Sequence, residues 1–143
     1  MPAKRFICAV DDSKVAERAA ACAVELAKAS GGKLTFLNIN VVPTRAKRTY
    51  FWDATLLDAA NVPSQKPFSA AAKAAKAARL RDVECVVASG SNVADAIISY
   101  AKKNKAGHIV MGTTTTSELA RIFLGSVATA VVSHADCPVT VVK

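Results

Sequence analysis

The 143-residue chain lacks any segment that would carry it through a membrane. No apolar run approaches the roughly 18 residues that span a bilayer. Met1-Pro2-Ala3-Lys4-Arg5-Phe6 leads straight into a strand-like run, with no hydrophobic leader ahead of it. The expected compartment is the cytoplasm, and no membrane partner is expected. Histidine is scarce. His108 opens a strand-like run and His134 closes a helix-like one, and neither stands at metal-ligand spacing to a cysteine. The four cysteines, Cys8, Cys22, Cys85 and Cys137, form no Cys-x-x-Cys pair. They read as small hydrophobes in a reducing compartment rather than as metal or redox centres. No nucleophile, base and orienting group can be assembled into a catalytic set, which points away from an enzyme. There is also no internal repeat and no low-complexity linker, so residues 1–143 read as one domain.

What is present is a core. The chain is 52% hydrophobic and 21% charged, which excludes disorder. Its formal net charge of +8 favours anionic partners by long-range attraction without choosing among them. The basic residues are scattered along the sequence. The densest groups are Arg45-Ala46-Lys47-Arg48 and Lys102-Lys103-Asn104-Lys105. The first, with Tyr50 and Trp52, reads as a solvated loop over packed aromatics, and nucleic acid is not the expected partner.

Taken in order, strands and helices alternate. Arg5 to Val10 is nearly all apolar and suits a central strand covered on both faces. Ser13 is a good cap for an alanine-rich amphipathic helix over Lys14 to Ser30, which Gly31-Gly32 stops. Leu34 to Val42 is the second strand. The segment from Thr44 to Pro67 is irregular, with one short helix expected around Asp53 to Ala60. A helix over Ser69 to Arg81 precedes the third strand, Val83 to Ala88. Ser91 or Asn92 caps a helix running to about Asn104. His108 to Met111 is the fourth strand, Ser117 to Phe123 a short helix, Ser126 to His134 the last long one, and Pro138 to Val142 the fifth strand. This alternation predicts a three-layer α/β/α sandwich around a five-stranded, mostly parallel sheet in the order 3-2-1-4-5.

In such sheets ligands bind beyond the carboxyl ends of the strands, where the order reverses. Here that point lies between strands one and four. It collects two polar features a hundred residues apart. One is Asp11-Asp12-Ser13. The other is Gly112 to Ser126, a glycine-ended strand, a hydroxyl-rich loop and a Gly125-Ser126 helix start. Free N–H groups and a positive dipole at a helix start suit an anion. A receiver domain also carries paired acids after strand one, but no apolar strand precedes Asp53 as its phospho-acceptor, and no lysine follows the fourth strand.

With these residues in place the sequence resembles the universal stress protein family over nearly its whole length. Four signatures carry the resemblance: Ala9-Val10-Asp11-Asp12-Ser13; Ser89-Gly90 with Val93-Ala94-Asp95-Ala96-Ile97; Ile109-Val110-Met111-Gly112; and Gly125-Ser126-Val127-Ala128 leading to His134-Ala135-Asp136-Cys137-Pro138-Val139. The resemblance implies a stress-response regulatory protein, acting as a homodimer through the strand holding Val139 and Val141, with further protein partners. In members that bind ATP it implies a Gly-x2-Gly-x9-Gly-Ser/Thr loop. Laid on this chain, Val10 and Asp11 would meet the adenosine part and the Val41 backbone the adenine edge. Gly112, Thr113 and Thr115 would line the ribose and phosphates, while Gly125, Ser126 and Val127 would hold the terminal phosphates, with Mg²⁺ as a companion ion. Thr115 replaces the middle glycine of the motif, and at φ > 0 a β-branched residue costs roughly 1–2 kcal/mol. The alternative is therefore a stress protein that binds no nucleotide and acts through dimerisation and partner contacts. Any chemistry would be confined to weak ATP hydrolysis or autophosphorylation on Thr113 to Ser117.

Overall fold

The computed structural model describes residues 4–42, 53–56, 66–113 and 124–143. Its elements are β1 (Arg5–Ala9), α1 (Lys14–Ser30), β2 (Lys33–Val41), β3 (Asp53–Leu56), α2 (Ser69–Ala77), β4 (Val83–Gly90), α3 (Val93–Lys103), β5 (His108–Gly112), α4 (Ser126–His134) and β6 (Val139–Val142). A short 3₁₀ turn, Lys66–Phe68, leads into α2.

The sheet runs β3-β4-β2-β1-β5-β6. The five strands from β4 to β6 are parallel neighbours. Numbered without the short β3, they follow the expected order 3-2-1-4-5. β3 is an addition at the edge, antiparallel to β4 with Asp53 opposite Ser89 and Leu56 opposite Val86. The short helix expected around Asp53 to Ala60 is thus a strand over its first four residues. The physical reason is the unpaired β4 edge, whose backbone groups an adjacent extended segment can satisfy. Residues 43–52 and 57–65 of the irregular segment, with the Arg45, Lys47, Arg48, Tyr50 and Trp52 cluster, and the helix expected over 117–123 lie outside the described residues.

Alternation along each strand divides the core into two halves. Phe6, Cys8, Leu34, Phe36 and Cys85 face α1 and α2. Ile7, Leu37, Val86, Ile109 and Met111 face α3 and α4. The period-two pleat makes this division, and near-continuous apolar runs are what a doubly covered parallel sheet requires. α1 presents Ala19, Ala20, Ala23 and Ala27, none more than 1% exposed. Small side chains let this helix lie close against the sheet.

Each helix boundary has a local cause. Ser13 Oγ accepts from Ala16 N at 3.2 Å and starts α1, and Asn92, rather than Ser91, caps α3 by accepting from Asp95 N at 3.0 Å. α1 stops at Gly31, whose φ of +68° is the left-handed conformation that glycine adopts most cheaply. α2 ends at Ala77, four residues before the expected Arg81, because Arg79 turns to φ +57° and closes the helix. All four cysteines are free, with Cys8 and Cys85 buried.

Candidate functional site

The crevice forms where β1 ends between β2 and β5. Ala9 pairs with Leu37, and Cys8 with Val110. Counting onward, Asp11, Ile39 and Thr113 stand at one level beyond the sheet's closed part. These three residues line a cleft of about 130 Å³, together with Val10, Val15, Asn38, Ile97, Met111, Gly112 and Val127. The walls are therefore mostly apolar, with Asp11, Ser13, Asn38 and Thr113 as polar points.

Asp11 is exposed, and its Oδ1 accepts from Ser13 N at 2.9 Å, so it both faces the cleft and shapes the turn into α1. Asp12 turns away: its carboxylate lies 3.4 Å from Lys66 Nζ on the 3₁₀ turn. The acid pair is thus divided between two tasks, and only Asp11 belongs to the cleft. Asn38 Nδ2 donates to Val10 O at 2.9 Å, and Val10 N donates to Leu37 O at the same distance. These two bonds fix the rim where β1 stops. Thr113 is 8% exposed, and its N–H donates to Val142 O at 2.9 Å, tying the cleft floor to the last strand.

Gly112 is needed for packing as well as for any ligand. A Cβ there would stand 2.8 and 3.0 Å from the two Val15 methyls and 3.1 Å from Val15 O. Only a residue without a side chain lets β5 reach the first turn of α1. On the far side, Gly125 is buried and begins α4 with extended backbone and no side-chain cap. The first intrahelical bond runs from Thr129 N to Gly125 O, so the N–H groups of Ser126, Val127 and Ala128 precede the helical ladder. Val127 lines the cleft, whereas Ser126 is exposed beside it.

Val41 does not line the cleft. It is 51% exposed and pairs with Gly90, two residues past Ile39. At about 3.3 Å per residue that places it roughly 6–7 Å too far along β2. Ile39, Asn38, Val15 and Ile97 were not anticipated. The register would have found Ile39, because the residue two past the end of β1 pairs in level with the residue two past Leu37. Thr115 lies outside the described residues. Val139 and Val141 are half-buried on the edge strand β6 and pack against the α3 and α4 half of the core.

The cysteines with shifted titration are held as thiols. Burial raises the Cys8 thiol well above its ordinary range and pushes Cys85 up to about 11. Burial and then Asp136 raise Cys137. None is a thiolate at neutral pH. No cluster of three His, Cys, Asp or Glu residues that could hold a metal occurs among the described residues. No helix of the described residues is long and apolar enough to cross a membrane.

The fold is a doubly covered parallel α/β sheet with a crevice at its switch point, the place where sheets of this kind receive their ligands. The universal stress protein family model matches residues 2–143, and the chain belongs to that family. A putative universal stress protein of Staphylococcus haemolyticus is 31% identical over 98% of this chain and 84% of its own length. The universal stress protein MJ0531 of Methanocaldococcus jannaschii is 56% identical over a shorter stretch, 35% of this chain and 29% of that protein. Among solved structures, a universal stress protein in complex with cAMP superposes with a TM-score of 0.72 at 24% identity, covering 100% of this chain and 98% of the other. The universal stress protein of Archaeoglobus fulgidus in complex with dAMP gives 0.70 at 24% identity, covering 100% of both.

Proposed function

We propose that the chain binds an adenine nucleotide in the β1/β5 crevice and acts as a non-enzymatic regulator in a stress response. The observation that carries this reading is the common level of Asp11, Ile39 and Thr113 beside the uncapped start of α4. An apolar slot with one carboxylate suits a flat base and a ribose hydroxyl. A helix start with free N–H groups suits phosphate. Two proteins of this fold were solved holding cAMP and dAMP. In this chain Ile39 takes the place expected of Val41 at the base, Asp11 accepts from the ribose, and Gly125, Ser126 and Val127 offer N–H groups to phosphate. A divalent cation such as Mg²⁺ would be held mainly by the phosphates of ATP. Calorimetry with AMP, and with ATP plus Mg²⁺, tests the reading. Stoichiometric heat that drops about tenfold in affinity on Asp11→Ala is expected, from the loss of one charge-assisted hydrogen bond. No heat with either nucleotide sinks it.

The second reading, action through dimerisation, rests on β6. Ile109 N donates to Pro138 O and Thr113 N to Val142 O. The even-numbered residues of β6 therefore face β5, and the main-chain groups of Val139 and Val141 turn to the open edge. An open apolar edge invites a second copy. Val141→Pro removes an outward N–H while sparing the β5 ladder. Under this reading light scattering shows the variant as a folded monomer. A variant that stays dimeric rejects this interface.

A further inference from the structure

The basic residues that are scattered in sequence are gathered by the fold. At the amino end of the sheet, opposite the crevice, stand Lys4 and Arg5 before and at the start of β1, Lys33 at the start of β2, and Arg81 just before β4. Lys28, Lys76, Lys102 and Lys103 lie in the last turns of α1, α2 and α3, and Arg79 and Lys105 follow α2 and α3. These are ten of the nineteen lysines and arginines in the chain. The acids at this end, among the described residues, are Asp82, Glu84 and Asp136. Glu84 is paired with Lys33 at 3.4 Å, and Asp136 with Lys102 at 3.7 Å.

Cations near helix C-termini complement the helix dipole, so some of this asymmetry is local stabilisation. Arg5 Nη1 donates to Asn104 O at 3.1 Å, and Lys28 Nζ donates to Ala78 O. The dipole does not account for all of it. Four helix ends contribute about half a negative charge each, so with the three acids the face keeps roughly +5. Lys4, Lys76, Arg79, Arg81 and Lys105 are exposed and take part in none of the ion pairs among the described residues.

A second observation is independent of charge. α1, α2 and α3 end in the same motif, with a bond from the residue after a left-handed one back into the last turn: Gly32 N to Ala27 O, Leu80 N to Ala75 O and Ala106 N to Ala101 O. Each motif needs one left-handed residue. After α1 it is Gly31; after α2 and α3 it is Arg79 at φ +57° and Lys105 at φ +53°. These are the two non-glycine residues with positive φ among the described residues. At both positions glycine would be the less strained choice, and a cation stands there instead.

We infer that this face is a docking surface for the phosphate backbone of a duplex nucleic acid, engaged without reading its sequence. Five parallel strands at about 4.8 Å give a face roughly 19 Å wide. Duplex carries one charge per 1.7 Å, or about eleven over that length, which complements the excess here. The aromatic residues nearest this end, Phe6 and Tyr100, are 3% and 6% exposed. No described aromatic is offered for stacking unpaired bases or for inserting into a bilayer. In sequence the Arg45 to Trp52 cluster reads as a solvated loop rather than a nucleic-acid site; the fold gathers a different basic cluster from four separate stretches, residues 4–5, 28–33, 76–81 and 102–105.

Fluorescence anisotropy with a labelled 20-base-pair DNA duplex of arbitrary sequence tests this. The wild type binds with a dissociation constant on the order of 10⁻⁶–10⁻⁴ M at physiological salt, falling steeply as salt rises. Arg79→Gly with Lys105→Gly reduces the log–log salt slope by about 2, one for each lost phosphate contact. The same double variant melts at a higher temperature than wild type, so weaker binding cannot be put down to unfolding. Lys14→Gln with Lys73→Gln removes the same charge elsewhere and leaves the slope unchanged. Equal slopes in the two double variants, or no duplex binding at low salt, overturn the inference. So does preference for vesicles of phosphatidylserine and phosphatidylcholine over duplex, which would make the partner a membrane surface.

Discussion

At the carboxyl end of the sheet the strands finish on Ala9, Val41, Gly90 and Gly112, and the following turns carry Asp11, Asp12 and Asn92. At the amino end they begin on Arg5, Lys33, Val83 and His108, with Lys4, Arg81 and Lys105 just ahead. The same strands thus bear a concave end, where acids and cations are mixed (Asp12 is paired with Lys66, and Lys14 opens α1), and a basic end. Helix polarity favours part of this asymmetry, since parallel connections bring all helix N-termini to one end and all C-termini, which suit cations, to the other. It does not set the shape. The crevice depends on β1 stopping short between β2 and β5, and on Gly112 giving way to Val15. The amino end has main chain packed directly against main chain: Lys33 N donates to Lys4 O at 2.9 Å and Gly107 N to Arg5 O at 2.8 Å. One end is built to leave space and the other to close it.

Two glycines measure that difference, and they give the largest effects. At Gly32, on the amino end, a Cβ would lie 2.4 Å from Lys4 O and 2.8 Å from the Phe6 ring. Lys4 O is backbone already engaged by Lys33 N, so it cannot retreat without parting β1 from β2. Gly32→Ala should cost about 3 kcal/mol or more in urea unfolding, at the upper end of overpacking. Gly112→Ala meets mainly the Val15 methyls, which can shift in part, and should cost about 2 kcal/mol. It should also weaken nucleotide binding, because Val15 would be pushed into the cleft. If the two variants were equally unstable, the contrast between a closed and an open end would fail.

Much of this was legible from sequence, for reasons that also explain the gaps. Long apolar runs such as Phe6 to Val10 and Ile109 to Met111 identify parallel strands, and Ser13 and Gly31 mark the bounds of α1. β3 was missed because the alternation of Asp-Ala-Thr-Leu lasts only four residues before Leu57-Asp58-Ala59-Ala60 breaks it; the open β4 edge beside it supplies the pairing that makes it a strand. Asp11 and Gly112 were placed at the crevice by topology. Ile39 was missed in favour of Val41 because strand identity without register leaves an error of two residues along β2. The basic face was invisible because its members come from segments far apart in the chain. Arg79 closed α2 early because a left-handed arginine has no sequence signal comparable to glycine.

Smaller effects sharpen the comparison at the helix ends. Gly31, Arg79 and Lys105 occupy equivalent left-handed positions after α1, α2 and α3. Gly31→Ala should destabilise by about 1 kcal/mol through backbone strain alone, since nothing lies within 4 Å of its added Cβ. Arg79→Gly and Lys105→Gly should each stabilise by about 0.5–1 kcal/mol for the same reason with the sign reversed. Thermal unfolding of the three variants checks this in one series. If the two cation-to-glycine changes destabilise instead, then Arg79 and Lys105 hold the helix ends together, and their positions need no partner to explain them.

The smallest expected effect is a titration. His108 opens β5 at the basic end. Its Nε2 lies 2.7 Å from Thr140 Oγ1 of β6, and its ring stacks on Phe6 with centroids 5.4 Å apart. Burial, and then the charge of Lys4, lower its pKa from the ordinary 6.5. The folded state therefore disfavours the imidazolium. Its neutral form contributes stability fully above the unfolded pKa near 6.5, and that contribution is lost as pH falls through the lower folded value. The bond to Thr140 survives protonation, because a hydroxyl can accept as well as donate, so the loss comes from desolvation and from Lys4. Denaturant midpoints measured downward from pH 7.5 should fall below about 6.5, and His108→Asn should flatten that step. Raising salt should shrink it as well, since Lys4 is exposed and its repulsion is screened. A step that is unchanged by salt would assign the shift to burial alone, and one that persists in His108→Asn would place the titrating group elsewhere.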